Sequence, residues 1–372
     1  MAHLLDLCDD FGPSKIIHLY DPAVPLKAIL VIDNVAAGPS IGGVRMAPDV
    51  STEECLRLAR AMTLKNSAAG LPHGGGKTVV YADPKLPKPN KERLIRALAC
   101  AVRDFQEYIM GPDIGTDEEC MAWAKDEIGR VVGLPREVGG IPLDEIGATG
   151  WGLRHVAEVA APDAGLALTG ARVVVQGFGA VGKHAARFLS QAGARVVAVS
   201  DSGGGIYDPE GLNIHELIAL KANGHNVSDH PAGDKLTTDE LIDIACEVWI
   251  PAARPDVINE GNVGRLNTRL VLQGANIPVT LDAEQALHQR GVLCIPDFIA
   301  NAGGVICAAM EYYRGTEQAA LQAIADKLRQ NTRIVLDTIK EKHCPPREAA
   351  ERLALARLKK AMGYGRWAGT SA

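Results

Sequence analysis

No apolar run in this 372-residue chain reaches the roughly 18 residues that a membrane-spanning helix needs. An excess of positive charge is also missing. Against 39 Lys and Arg stand 45 Asp and Glu, a net charge of −6, which leaves no basic footprint for nucleic acid. The N-terminal stretch MAHLLDLCDDFG lacks the basic start and apolar core of a secretory signal. The eight cysteines form no C-x-x-C pair and show no metal-ligand spacing. No metal is expected, and the thiols read as small apolar side chains in a reducing, cytoplasmic setting. Internal repeats and low-complexity segments are absent as well.

What is present is ordinary for a globular protein with a sizeable core: 47% apolar and 23% charged residues, over a length that suits two domains. The first part, 1–140, mixes strand and helix patterns. KAILVIDN (27–34) is an apolar run of strand length. NKERLIRALACAVRDFQEYI (90–109) carries apolar residues at helical spacing. Thr116 and Glu119 read as a capping box that opens the next helix. GLPREVGGIPLDEIGATG (133–150), rich in glycine and proline, reads as an interdomain connection. In the second part, 141–330, strands such as ARVVVQ, ARVVAVSD and CEVWIPAA alternate with helices. That pattern predicts a parallel sheet covered on both faces, so the fold class is α/β with two domains. Residues 331–372 are helical and are expected to return to the first domain.

LPHGGGKTVV (71–80) raises a sharper question, because glycines followed by lysine and threonine resemble a phosphate-binding loop. That loop needs G-x-x-x-x-G-K-[ST] after a strand and before a helix. Gly76, Lys77 and Thr78 fit its end, but Leu71 stands where the first glycine should be. The flanks are reversed too. Ser51 and Glu54 make a capping box before Leu56, Ala59, Met62 and Thr63 at helical spacing, and TVVYADP reads as a strand. Helix, glycine loop, strand is the wrong order for a nucleotide cradle, so Lys77 needs another purpose.

A nucleotide site is found elsewhere. ARVVVQGFGAVGKHAARFL places G-x-G-x-x-G at Gly177, Gly179 and Gly182, after a strand and opening a helix. Gly177 suits the tight turn, Gly179 the approach of a pyrophosphate and Gly182 close helix–strand packing. The helix N-terminus then faces phosphate. Asp201 ends the next strand, where its carboxylate can accept from a ribose 2′-hydroxyl and repel a 2′-phosphate, which favours NAD. The adjacent Ser202 could contact a phosphate and leaves NADP open. The plain alternative for Asp201 is a solvated strand end.

Charged residues gather in the first part: Lys65 near a helix end, Lys77 in the glycine loop and Asp113 in the GPDIGT loop. Singly, each reads as a solvated or turn residue. As a set, with GPSIGGVRMAP, MTLKNSAAGLPHGGGKTVV, GPDIGT, ATGWG, VQGFGAVG, SDSGGGIYDPEGL, GAN and PDFIANAGGVI in order over 38–311, the chain resembles the amino acid dehydrogenase family. That family includes the glutamate, leucine, phenylalanine and valine dehydrogenases. The resemblance implies a substrate and oligomerisation domain, a Rossmann NAD domain, an active site in the cleft between them, and a homo-oligomer. It implies Lys65 on the substrate α-carboxylate, Lys77 as catalytic lysine and Asp113 as proton shuttle. Phe178, Ala180, Val181 and Ala252 join the three glycines, Asp201 and Ser202 in the cofactor set. Thr149 and Asn276 correspond to contacts with the nicotinamide half, and Asn301 to contacts with both ring and substrate.

The substrate side chain is expected to meet Ile41, Gly42, Gly111, Val305 and Ala308. Glutamate enzymes of the family read the distal carboxylate with a lysine where Ile41 stands and a serine where Ala308 stands. An unpartnered buried carboxylate is costly. The expectation is therefore oxidative deamination of a bulky apolar L-amino acid to its 2-oxo acid and ammonium, closest in the substrate domain to leucine and phenylalanine dehydrogenases. Two rival readings are a glutamate dehydrogenase with another carboxylate anchor and a silent NAD-binding sensor. His73 departs from the family's apolar residue and reads as a histidine hydrogen-bonded within its loop.

Overall fold

The computed structural model describes residues 7–364 and divides into two compact units. Unit one takes the chain up to Pro142, Val305–Ala320 and the segment from Ala354 on; unit two takes Leu143–Gly304 and Leu321–Leu353. The passage from one to the other falls within the glycine- and proline-rich connection. The return of residues 331–372 is narrower than expected. Residues 321–353 pack with unit two because small residues there admit them: a Cβ on Gly152 would lie 2.5 Å from Leu328 Cδ1. Trp151 Nε1 also donates to the Leu321 carbonyl at 2.9 Å. The later residues do return to unit one, where Ser67 Oγ donates to the Ala354 carbonyl at 2.6 Å.

Unit one contains β1 (Lys15–Asp21), β2 (Leu26–Asn34), β3 (Ser40–Ala47), α1 (Thr52–Ala68), β4 (Gly74–Tyr81), α2 (Lys88–Ala101), β5 (Tyr108–Pro112) and α3 (Glu118–Ile128). The sheet order is β1-β2-β4-β3-β5. The β1/β2 and β2/β4 pairs are antiparallel, and β3 runs parallel to both β4 and β5. Helix α2 stops at Ala101 instead of running through 109. Phe105 and Tyr108 keep the apolar spacing because they join the same core from a turn and from β5. Burial periodicity reports which side chains face inward, not which backbone carries them. The α3 cap is Asp117, whose carboxylate accepts from Cys120 N–H at 2.9 Å, instead of Thr116. At α1, Ser51 Oγ accepts from Glu54 N–H at 3.1 Å, while the Glu54 carboxylate is drawn to Arg45 at 2.6 Å.

Unit two is built on α4 (Leu143–Ile146), α5 (Ala148–Ala160), β6 (Arg172–Gln176), α6 (Ala180–Gln191), β7 (Arg195–Asp201), β8 (Gly204–Tyr207), α7 (Ile214–Ala222) and β9 (Asp234–Leu236). There follow β10 (Val248–Pro251), β11 (Leu270–Leu272), α8 (Leu281–Gln289), β12 (Leu293–Ile295) and α9 (Asp297–Ala300). The chain ends in α10 (Gly303–Tyr312), α11 (Glu317–Lys342) and α12 (Pro346–Met362). The sheet order is β12-β11-β10-β6-β7-β8-β9. From β12 to β7 it is parallel, and its Val/Ile/Leu strands are buried on both faces. The antiparallel β8 and β9 extend it beyond the expected strands. All eight cysteines are free, six of them buried. Among the described residues no helix is long and apolar enough to cross a membrane, and no His/Cys/Asp/Glu group could hold a metal.

Candidate active site

In unit one the three strands β3, β4 and β5 bring the charged residues together. Lys77 is buried, 5% exposed, on the central strand β4, and its Nζ lies 2.6 Å from Asp113 Oδ2. Asp113 follows directly on the end of β5. The same Oδ2 accepts from Arg45 Nε at 3.0 Å, and Arg45 Nη1 reaches Glu54 Oε1 at 2.6 Å. The loop carrying Asp113 is pinned by Thr116 Oγ1, which accepts from Asp113 N–H at 3.0 Å and donates to the Val44 carbonyl at 2.7 Å. Gly115 allows the loop to turn, with φ +83° and no room for a Cβ, which would lie 2.3 Å from the Met46 carbonyl oxygen. Gly43 leaves space for the ion pair: a Cβ there would lie 2.8 Å from Asp113 Cβ and 3.3 Å from Lys77 Nζ.

Burial alone would raise the Asp113 carboxyl, but the Lys77 ammonium and then the Arg45 guanidinium outweigh it and hold the group below its usual range. Arg45 was not singled out from the sequence. The available signal was its place in GPSIGGVRMAP, two residues after Gly43, and so on the same face of a strand. Lys65 lies in the last turn of α1, the helix that lies across β4, and is partly buried.

The glycines before Lys77 do not form a loop. Gly74–Gly76 belong to β4, and protein fills the space beside them: a Cβ on Gly74 would sit 1.6 Å from the Asn34 carbonyl oxygen and one on Gly75 2.0 Å from Thr63 N. They admit β2 and α1, not a ligand. Gly42 has the same purpose, since its Cβ would lie 1.7 Å from the Gly76 carbonyl oxygen.

Ile41 and Ala308 meet in one apolar cluster with Ile109, Val132 and Tyr312, three residues that the sequence reading missed. Gly111 borders the cluster, 3.3 Å from Val132 Cγ2 when given a Cβ, and Val305 lies one turn before Ala308 on α10. His73 is buried, with Nδ1 3.0 Å from the Pro39 carbonyl. A carbonyl can only accept, so Nδ1 carries the proton, and burial pushes the ring's pKa down toward the neutral form. Tyr312 meets the ring edge-on at 5.7 Å and Tyr313 lies tilted over it at 5.5 Å.

In unit two the β6–α6 turn has the shape expected of it. Gly177 has φ +94°, and its N–H donates to the Ser200 carbonyl at 2.9 Å. A Cβ on Gly182 would lie 1.7 Å from the Gly177 carbonyl oxygen, so helix and strand are in close contact. Gly179, at the N-cap of α6, is different: a Cβ there would meet nothing within 4 Å. Open space in front of the first turn, Ala180–Gly182, suits a pyrophosphate. The Phe178 side chain is buried at 2% exposure, so only its backbone can serve a ligand. Ala252 N–H donates to the Gln176 carbonyl at 2.7 Å, which holds the β10 loop beside this turn.

Thr149, in the first turn of α5, lies against Gly303 and Gly304. Asn301 Nδ2 donates to the Ala275 carbonyl at 2.9 Å and to Asn276 Oδ1 at 3.1 Å, while its buried Oδ1 has no partner among the described residues. A buried acceptor of this kind is suited to a ligand's N–H.

Asp201, at the end of β7, is already engaged within the protein. Its Oδ1 accepts from Gly203 N–H at 2.8 Å, and its Oδ2 from Lys221 Nζ at 2.7 Å and Val227 N–H at 2.9 Å. The side chain is 7% exposed and its charge is matched within the protein. Such a carboxylate repels a 2′-phosphate less than a bare one would. Ser202 next to it is exposed.

Comparison with known proteins agrees with this division of labour. Residues 139–365 match the model of the Glutamate/Leucine/Phenylalanine/Valine dehydrogenase family, and residues 21–130 match the Glu/Leu/Phe/Val dehydrogenase, dimerisation domain. A glutamate dehydrogenase of Aeropyrum pernix is 39% identical over 90% of this chain and 85% of its own length. An NADP-specific glutamate dehydrogenase of Saccharolobus shibatae is 35% identical over 88% and 82%. Among solved structures, the hetero-hexameric glutamate dehydrogenase from Thermus thermophilus (Leu bound form) superposes with TM-score 0.83 at 31% identity, covering 94% of this chain and 89% of that one. An L-tryptophan dehydrogenase from Nostoc punctiforme gives TM-score 0.76 at 25% identity, covering 95% and 97%. The expected closeness to leucine and phenylalanine enzymes is not shown: the two relatives named above are glutamate dehydrogenases, and the two solved structures are a glutamate and a tryptophan dehydrogenase. At the level above substrate choice all agree, and the chain belongs to the glutamate/leucine/phenylalanine/valine dehydrogenase family of amino acid dehydrogenases, oxidoreductases acting on a CH–NH2 group.

Proposed function

We propose that this chain catalyses the reversible NAD-dependent oxidative deamination of an apolar L-amino acid, branched or aromatic. The overall change is L-amino acid, NAD+ and water to 2-oxo acid, ammonium, NADH and a proton. The observation that carries the reading is the pair of buried Lys77 and half-buried Asp113, 2.6 Å apart, with Arg45 on the same carboxylate. Bound NAD would accept the hydride from the substrate Cα. The chain's own residues manage the protons. Asp113, kept as a carboxylate by Lys77 and Arg45, can take a proton from the substrate ammonium group before oxidation. Lys77, once its own proton has gone to solvent as the proton released in the overall reaction, can take one from the water that adds to the iminium carbon. Asp113 can then return a proton to the departing nitrogen. Lys65 supplies a point charge for the substrate α-carboxylate.

The apolar cluster of Ile41, Ile109, Val132, Ala308 and Tyr312 supports an apolar side chain, since none of the five carries a charge to match a distal carboxylate. Burying a leucine-sized group is worth about 1.5–3 kcal/mol. The relatives' names favour a second reading, glutamate, held through another anchor. NAD is proposed as the preferred cofactor, with NADP tolerated because Lys221 matches the charge of Asp201. We also propose a cytosolic homo-oligomer assembled through unit one, which the dimerisation-domain match supports.

The test is NADH formation from NAD with a panel of L-amino acids at alkaline pH, including glutamate, leucine, valine, phenylalanine and tryptophan. Turnover of bulky apolar members without glutamate is expected. Glutamate turnover alone would replace the apolar reading with the second one. NADH binding without any turnover would mean a sensor.

A further inference from the structure

The cofactor-side asparagines are held by a network that the proposed chemistry does not use. Ile277, next to Asn276, has φ +44°, a left-handed conformation that a β-branched residue adopts only when its surroundings impose it. The residue is 52% exposed, so packing does not impose it. The hydrogen bonds on either side of it do. Ile277 N–H donates to Asp297 Oδ2 at 2.9 Å, and its carbonyl accepts from Asp256 N–H at 3.0 Å.

Asp297 also holds the second asparagine, because its carbonyl accepts from Asn301 N–H at 2.8 Å. One residue thus fixes both partners of the Asn276–Asn301 pair, through its carboxylate on one side and its backbone on the other. Asp297 is 8% exposed and is itself held from behind. Arg347 Nη2 lies 3.4 Å from Asp297 Oδ1, and the same guanidinium grips Glu284 at 2.5 and 2.6 Å. Arg347 also lies over the Phe298 ring, 5.6 Å from its centroid. Gln273, just past the end of β11, donates to Glu284 and closes the network onto the strand that leads into the Ala275–Ile277 loop.

We propose that Asp297, backed by Arg347, is a positioning residue. It holds Ile277 in its left-handed conformation and so sets the Asn276–Asn301 pair in the arrangement that receives the nicotinamide half of the cofactor. The inference rests on the proposed reading that this pair faces the cofactor. A carboxylate is the suitable group because it accepts from a strained N–H more strongly than a neutral oxygen does. The strain itself makes the device necessary, since without the acceptor the loop would relax to a negative φ and carry Asn276 with it.

The test is NADH affinity, read by fluorescence of the bound nicotinamide, in four purified variants of the full chain. Asp297→Ala is expected to weaken NADH at least tenfold and to raise KM for NAD more than it lowers kcat. Adding Ile277→Gly should bring the affinity back to within threefold of wild type, because glycine adopts a positive φ without help. Asp297→Asn, which keeps an acceptor oxygen, should stay within threefold. Ile277→Pro removes the same N–H from an exposed loop. It should lose NADH at least tenfold in a folded protein, and it decides the matter if Asp297→Ala does not fold. Affinity within threefold of wild type in Asp297→Ala or Ile277→Pro would overturn the proposal, and so would failure of the glycine rescue. If the wild-type chain binds no NADH, the proposed function falls first, and that result is distinct from all of these.

Discussion

In unit one a Cβ on Gly75 would sit 2.0 Å from Thr63 N, whereas in unit two a Cβ on Gly179 would meet nothing within 4 Å. Both glycines belong to runs that look like ligand cradles when read as sequence. The first is filled by the protein's own helix α1, and the second leaves room in front of a helix N-terminus. The charged groups differ in the same way. In unit one a buried lysine and a half-buried arginine share one aspartate carboxylate. In unit two Asp201 and Asp297 have their carboxylates committed to backbone N–H groups and to Lys221 or Arg347. In unit one the charged side chains face one another; in unit two they hold backbone N–H groups.

The largest effect that would test this comparison is in catalysis. Lys77→Ala should lower kcat/KM by about 10²–10⁴, the usual contribution of a proton-transfer group, while NADH affinity changes less than threefold. Wild-type turnover in this variant would remove the catalytic role from unit one's cluster.

The glycines come next. Gly75→Ala should destabilise the protein by about 1–3 kcal/mol through overpacking, seen as a lower denaturant midpoint with NADH binding intact. Gly179→Val should leave stability unchanged and weaken NADH by about tenfold or more, roughly 1.4 kcal/mol, because the new side chain occupies ligand space. The opposite pattern in either variant would break the contrast between filled and open glycines.

A smaller effect is expected at the ribose end. Lys221→Met leaves Asp201 without its cation, so kcat/KM with NADP should fall by several-fold to about tenfold, the scale of a partly screened charge, with NAD little changed. Equal effects on both cofactors would mean that Lys221 only supports the loop.

The smallest is a pH shift. Arg45 helps hold Asp113 below the usual carboxylate range, so Arg45→Met should raise its pKa and move the acid limb of the kcat/KM profile upward. Stability follows the same sign. A depressed carboxyl stabilises the fold above its unfolded pKa, and this is lost as pH falls through the lowered folded value. An unmoved acid limb would assign Arg45 to packing alone.

Much of this was legible in the sequence because it is local. Strand, tight turn and helix around Gly177–Gly182 follow from adjacent residues, and so do the Val-rich parallel strands. Failures occurred where distant segments compete for the same group. Thr116 reads as a cap until Val44 and Asp113 take its hydroxyl, and Glu54 reads as half a capping box until Arg45 takes its carboxylate. The apolar cluster was half visible, at Ile41 and Ala308. Ile109, Val132 and Tyr312 join it from other elements.

The sequence by itself determined the two-unit α/β plan, the dinucleotide turn and the family, because periodicity, turn chemistry and ordered motifs are carried by neighbours along the chain. Only the tertiary structure decided whether a glycine faces protein or open space. It also decided that Arg45 shares the Asp113 carboxylate with Lys77 and that Lys221 pairs with Asp201. Those outcomes depend on which remote strand or helix arrives within hydrogen-bonding distance, a property of packing that no local pattern encodes.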